Sequence, residues 1–272
     1  MENSFITVNG LKLAYVEKNP DATKTIFFIH GNSVSKRSWR KQYNSSALSS
    51  YRMIAIDLPV HGDSDEGSYT IYTLKGLAEI MSKAVKQLAA DEPYILAGIS
   101  LSTNIIAEML AFDVRPAGIV LAGPCIVGKD HPVSKFVKPG THVGVVFKDD
   151  SDENDVLSYA HETSASKDEN DIKIFIEDFK AVKNRFRSSL AKSIFNNEYS
   201  DEVELLQQKN IPLLVVFGKD EKIIDADYLD NAILPTWNKT IYKVEGASHF
   251  VNIDRPKIFN ELIKQFFDDV LK

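Results

Sequence analysis

Tyr94-Ile95-Leu96-Ala97-Gly98-Ile99-Ser100-Leu101-Ser102-Thr103-Asn104-Ile105-Ile106 passes from a short apolar run into a helical stripe with no linker between them. Tyr94 to Ala97 suits a strand buried on both faces. Leu101, Ile105, Ile106, Met109 and Leu110 then recur at helical spacing. The join, Gly98-Ile99-Ser100-Leu101-Ser102, reads as a sharp strand-to-helix turn. Such a turn strains the backbone and lifts the central hydroxyl clear of the sheet, and small neighbours keep it from clashing. The helix N-terminus adds a favourable dipole where negative charge would develop. A serine here also fits a plain helix N-cap, so the turn alone leaves two readings. Gly-x-Ser also occurs at Gly31-Asn32-Ser33, Gly62-Asp63-Ser64 and Gly246-Ala247-Ser248; only Ser100 follows a buried strand and opens a helix.

Outward from this join, strand and helix patterns alternate. Ile26 to Ile29, Met53 to Ile56 and Ile119 to Leu121 are further short apolar runs. Leu74, Leu77, Ala78, Met81, Ala84, Val85 and Leu88 form one apolar stripe between two of them. Such alternation implies right-handed crossovers and a doubly wound or related sheet. Phe5 to Val16, with Asn9-Gly10 between two apolar segments, predicts an opening antiparallel hairpin. From Cys125 to about Glu204 no buried strand is evident. Ile172, Phe175, Ile176, Phe179, Val182, Phe186 and Leu190 keep helical spacing there, so residues 125–205 read as a mostly helical insertion. Leu213 to Phe217 and Thr240 to Val244 resume the strands. Ile258, Phe259, Leu262, Ile263, Phe266, Phe267 and Val270 make a final amphipathic helix with Pro256 in its first turn.

Composition narrows the function classes. In 272 residues, 32 basic and 38 acidic side chains give a net charge of −6, with no basic block to hold nucleic acid or an anionic membrane. No apolar run approaches the roughly 18 residues a membrane span needs. Cys125 is the only cysteine, which excludes an internal disulfide and a thiolate metal cage; following the sixth strand, it reads as a buried structural thiol, with a place at the pocket border as the alternative. The first residues lack the basic start and apolar core of a signal peptide, and these features together favour the cytosol.

A serine hydroxyl needs a base, and histidine is the natural one at neutral pH. Of His30, His61, His131, His142, His161 and His249, the last stands just past the final predicted strand, on the sheet edge where Ser100 also falls. His61 and Asp57 read as tethers of the loop after the fourth strand, and His131, His142 and His161 as surface or packing groups. Trp39 and Trp237 read as core or pocket wall. The histidine needs an acid to fix its tautomer. The preceding strand ends at Phe217-Gly218-Lys219-Asp220-Glu221, which leaves Asp220 and Glu221 both open. For an oxyanion, the candidate donors are the N–H of Leu101 and the N–H of Asn32, beside Gly31, which permits close backbone approach.

With these segments in order, the sequence resembles the α/β-hydrolase superfamily. The residues that carry the likeness are His30-Gly31-Asn32, Asp57-Leu58-Pro59-Val60-His61-Gly62-Asp63-Ser64, Gly98-Ile99-Ser100-Leu101-Ser102, Gly218 to Glu221 and Gly246-Ala247-Ser248-His249. Two positions depart from the family pattern, Ser102 and Val60, where glycine is usual. The resemblance implies an α/β fold: a mostly parallel eight-stranded sheet with helices on both faces and a helical cap after the sixth strand. The core would be residues 1–124 and 206–272, the cap 125–205. Family spacing points to Glu221 over Asp220. Trp39-Arg40 downstream of the first motif is similar to haloalkane dehalogenases, but those enzymes and the related epoxide hydrolases use aspartate where Ser100 stands. The expected activity is hydrolysis of a small-molecule carboxylic ester through an acyl-enzyme, with no metal or organic cofactor. Amidase, peptidase, thioesterase and carbon–carbon bond hydrolase chemistry use the same groups. A ligand-sensing module is the alternative outside enzymes. Oligomeric state is open.

Overall fold

A computed structural model describes residues 2–89, 91–183 and 185–271. Eight strands form one sheet: β1 (Ser4–Val8), β2 (Leu11–Lys18), β3 (Thr25–Ile29), β4 (Arg52–Ile56), β5 (Tyr94–Ile99), β6 (Gly118–Ala122), β7 (Leu213–Gly218) and β8 (Thr236–Val244). The order is β1-β2-β4-β3-β5-β6-β7-β8. β1 and β2 pair antiparallel, β2 joins β4 antiparallel, and every other pair is parallel. The hairpin turns at Asn9 and Gly10, both at positive φ, as a tight two-residue turn requires. Every residue of β3, β6 and β7 is buried, which is why those strands read as unbroken apolar runs rather than alternations.

Strand order locates the site. β3 leads outward to β4, whereas β5 leads the opposite way to β6. Their C-terminal ends therefore flank the crevice where connections diverge, the usual place for a ligand in an open α/β sheet. Asn32 follows β3 and Ser100 follows β5 at that crevice.

Helices cover both faces. All seven residues of the stripe on Leu74–Ala89 are buried. The closing helix, Pro256–Val270, buries Phe259, Ile263, Phe266 and Phe267 and starts on Pro256, while Ile258 is exposed, so its apolar face is narrower than the sequence pattern. Between β6 and β7 lie five α-helices among the described residues, Val133–Phe136, Glu153–Thr163, Glu169–Ala181, Phe186–Phe195 and Glu202–Lys209, with a 3-10 helix at Val143–Phe147. The helical spacing from Ile172 to Leu190 is divided between two of these, because Arg185 is left-handed (φ 57°) and the chain turns there. Residue 205 falls inside Glu202–Lys209, which packs on the helix after β5.

This β6–β7 segment is fastened by charge to the chain that follows β3 and β8. Asp178 accepts from the Ser35 N–H (3.0 Å), the Ser35 hydroxyl (2.8 Å) and Arg37 Nε (3.0 Å). Asp171 takes Arg40 and Lys41. Asp254 accepts from the N–H groups of Ala165 (2.9 Å), Ser166 (3.0 Å) and Ser248 (2.8 Å), tying the segment to the loop that carries His249.

β7 meets that loop at Gly218. A Cβ there would lie 2.2 Å from the carbonyl oxygens of both Ala247 and Ser248, and backbone cannot yield cheaply. Gly218→Ala is expected to lose about 1–3 kcal/mol, the usual cost of overpacking. At roughly 2–4 °C per kcal/mol for a chain of this size, differential scanning calorimetry should show the lower Tm.

Candidate active site

Ser100 sits at φ 55°, ψ −126°, between β5 and the helix Leu101–Met109. A non-glycine residue there is strained and persists only where its surroundings enforce it. β5 and β6 fix the approach, since the Ser100 N–H donates to Ala122 O (3.0 Å). Ser102 locks the exit: its hydroxyl accepts from Ile99 N–H (2.7 Å) and reaches Ile29 O (2.7 Å) on β3. Serine thus replaces the usual glycine and adds a stitch between strands. Ser100 occupies the N-cap position, yet its side chain makes no capping hydrogen bond. The hydroxyl is half-buried and opens into a cavity.

His249 lines the same cavity and is 1% exposed. Its Nδ1 pairs with Glu221 Oε2 at 2.8 Å. A carboxylate only accepts, so Nδ1 carries the proton and Nε2 is left toward the cavity. Among the described residues, Nε2 is buried without a hydrogen-bond partner. Glu221 is 4% exposed and its Oε1 accepts from the N–H groups of Ile223 (2.8 Å) and Ile224 (3.3 Å). Asp220, the other acid open from sequence, is exposed; its N–H, not its carboxylate, engages the histidine loop through Ala247 O (2.9 Å).

Burial opposes charge on both members of this pair, and their mutual attraction outweighs it. The imidazole's charge and hydrogen bond and the two N–H groups hold the Glu221 carboxyl below its ordinary range. The carboxylate, helped by the sulfur of Cys125, raises the His249 imidazole above its ordinary value.

Across the crevice, Gly31 permits close approach, since a Cβ would lie a tight 3.2 Å from both Ile99 O and Ser100 Cβ. Asn32 lines the cavity, and its amide donates to Val146 O (3.2 Å) in the β6–β7 segment. Its Oδ1 accepts from Ser33 Oγ (2.7 Å), which in turn accepts from Arg187 Nε (2.8 Å). Arg187 is buried over the Phe179 ring, and burial pulls its pKa down to about 10. The N–H of Leu101, first in its helix, has no acceptor inside that helix.

The remaining histidines are placed elsewhere. His30 Nε2 accepts from Leu58 N–H (2.9 Å), and His61 Nε2 accepts from Ser33 N–H (3.2 Å). Both are fully buried and held neutral by that burial; His30 is pushed down to about 3. Asp57 accepts from Lys36 N–H (2.7 Å), Lys36 Nζ (2.6 Å) and Asp63 N–H (3.0 Å), so these groups fasten the loops around the crevice. Val60, where glycine is usual, adopts φ 64° with its side chain in the core. His142 pairs with Glu162 (2.6 Å) and His161 is exposed. Trp39 is core, and Trp237 is half-buried on Phe266.

Sequence reasoning missed two features and preferred the wrong reading of a third. Cys125 borders the pocket, the less favoured of its two readings: it is a half-buried wall of the cavity, its Sγ 3.9 Å from Ser100 Oγ. Asn104 also lines the cavity and donates to Glu202 Oε2 (2.7 Å); burial pushes that carboxyl well above the ordinary range. Arg187 belongs to the support of Asn32. An asparagine at helical spacing from Ser100 was a usable signal for the second; nothing in the string ties Arg187 to residue 33.

Fold and crevice define an α/β hydrolase, and comparison with known proteins agrees. Residues 26–262 match the alpha/beta hydrolase family, and the chain belongs to it. An uncharacterized hydrolase of Bacillus subtilis, YugF, is 23% identical over 269 residues, 96% of each chain. Among solved structures, a serine-to-glycine mutant of the N-acyl homoserine lactonase AidH, complexed with N-hexanoyl homoserine lactone, superposes with a TM-score of 0.90 at 22% identity, over 99% of this chain and 98% of that one. A thermophilic esterase from Thermogutta terrifontis gives 0.79 at 15% identity, over 99% of both chains. At these identities the structural likeness concerns the fold.

With His249 as the base, the Glu221–His249 pair would set a pH dependence. A base must be deprotonated to act, so kcat/KM should rise with pH through the raised pKa of His249. Glu221→Gln removes the charge that raises it. The acid limb should then move to lower pH, while kcat falls by about 10²–10⁴. Asp220→Asn should move neither; a limb that shifts with Asp220 and not with Glu221 would transfer the role.

Proposed function

We propose that the protein is a serine hydrolase of carboxylic esters whose acyl group is uncharged and apolar. The observation that carries this reading is the arrangement at the crevice: a strained, uncapped Ser100 hydroxyl shares a cavity with an imidazole whose far nitrogen is held by a buried carboxylate. In this reading Ser100 Oγ attacks the ester carbonyl as His249 Nε2 takes its proton. Glu221 keeps the tautomer and stabilises the cation. The N–H groups of Asn32 and Leu101 receive the charge that develops on the carbonyl oxygen. His249 returns its proton to the departing alcohol, then activates water to release the acid and restore Ser100.

The cavity supports the substrate class. It is narrow, about 80 Å3, and apart from His249 no ionisable carboxylate, lysine or arginine is among the described residues that line it. Val127, Val137, Phe136, Val146, Leu190 and Ile194 supply an apolar wall. A charged group placed there would lose its hydration without a partner, at a cost of several kcal/mol. We read the β6–β7 segment, residues 125–205, as the lid that provides most of this wall over a core of residues 1–124 and 206–272. Cyclic esters fall within the class, and the lactonase whose fold this chain shares was solved with one.

A fluorophosphonate probe should add to Ser100, mapped by mass spectrometry of the digested protein, and Ser100→Ala should abolish labelling and lower ester turnover by on the order of 10⁴ or more. An unlabelled, folded protein would remove the reading. Within a matched series, an ester ending in a carboxylate should show kcat/KM at least about 10²-fold below its uncharged analogue, from the desolvation cost above. An amide or thioester that outpaces the matched ester would reassign the bond cleaved.

A further inference from the structure

The single thiol is placed with unusual care. Cys125 N–H donates to Thr103 Oγ1 (3.0 Å), and Cys125 O accepts from Asn104 Nδ2 (2.6 Å). Both partners stand on the helix that begins after Ser100, so sulfur and hydroxyl are held by one rigid element. Sγ lies 3.9 Å from Ser100 Oγ and 3.7 Å from Gly123 O, and it faces the cavity. The second observation is independent of the cysteine. His249 Nε2, buried at the same cavity, has no hydrogen-bond partner among the described residues. Cys125 and His249 line the same cavity as Ser100.

We infer that Cys125 is an oxidisable site for uncharged, apolar hydroperoxides, and that its oxidation turns hydrolysis off. This rests on Ser100 being the nucleophile. A thiolate, not a thiol, attacks peroxide. His249 Nε2 accepts the Cys125 proton. The sulfur then attacks the distal peroxide oxygen, an S–O bond forms and the O–O bond breaks. Sulfur loses two electrons to the peroxide, the departing alkoxide takes the proton from His249, and the products are Cys125 sulfenic acid and an alcohol. The added oxygen projects into the cavity beside Ser100 Oγ and offers its O–H to His249 Nε2, which removes the base from Ser100. With one cysteine in the chain, no internal thiol resolves the sulfenic acid. An external thiol displaces water to form a mixed disulfide, and a second thiol restores Cys125.

The test treats the full chain with cumene hydroperoxide, traps sulfenic acid with dimedone and follows ester hydrolysis before and after dithiothreitol. A dimedone adduct at Cys125, a fall in hydrolysis of tenfold or more and recovery with dithiothreitol are expected. Each variant is compared with its own untreated activity, so Cys125→Ala should show no loss, and it also reports methionine oxidation. His249→Ala should slow adduct formation about tenfold, which a purely structural histidine would not do. No adduct, or inactivation that persists in Cys125→Ala, overturns the inference. An adduct in a protein that hydrolyses no ester upholds the thiol chemistry and rejects the Ser100 reading instead.

Discussion

The hydrogen bond between Glu221 and His249 joins two loops that the sheet alone would leave independent. Both side chains are buried, so neither charge can be met by water. A buried ionic pair adds little net stability, yet removing one member strands the other, at about 3–5 kcal/mol. The fold therefore has to deliver both ends to within 2.8 Å. It does so with backbone. Lys219 N–H bonds Val244 O and Asp220 N–H bonds Ala247 O, carrying the register of β7 and β8 past their ends. Gly218 lets the two loops touch, and Asp254 clamps the far side.

The same logic explains the strain around the crevice. Ser33, Val60, Gly62, Ser100 and Gly123 all have positive φ. Ser100 and Gly123 turn the chain directly after β5 and β6, and Ser33, Val60 and Gly62 bend the loops that follow β3 and β4. Gly62 is confined by chemistry as well: a Cβ would sit 2.2 Å from the Asp57 carboxylate, which needs that space to accept from Asp63 N–H. Two fully buried neutral histidines, His30 and His61, donate or accept only to backbone and hold these bends apart. His30 and His61, the two buried histidines beside the crevice, are thus scaffolding, whereas His249 meets a carboxylate at 2.8 Å with both side chains buried.

Much of this was legible in the chain because it is local. A buried strand and the turn after it lie within ten residues, so Tyr94 to Ser100 and Leu213 to Glu221 announce themselves. The choice of Glu221 over Asp220 was not local: it depends on which side chain faces a loop 28 residues away, and residue spacing in the family pointed to it where composition could not. The β6–β7 segment was legible only as helical. Its helix ends depend on Arg185 adopting a left-handed turn, and its docking on Asp171 and Asp178 finding Arg40, Lys41, Arg37 and Ser35 across more than a hundred residues. Periodicity carries no information about such partners.

Those long-range contacts also decide what the segment does to the crevice. Asn32 is fixed from above by Val146 O and, through Ser33, by Arg187, a cation with no carboxylate in hydrogen-bonding contact among the described residues. Burying it costs free energy that a surface loop would never incur, and its three nitrogens are satisfied only while Phe186–Phe195 stays seated. Displacing that helix would uncover Leu190 and Ile194 of the cavity wall and withdraw Arg187 from Ser33, leaving the Asn32 side chain held by Val146 O. In the proposed reaction the segment would therefore act on the position of Asn32 as well as on the exclusion of water.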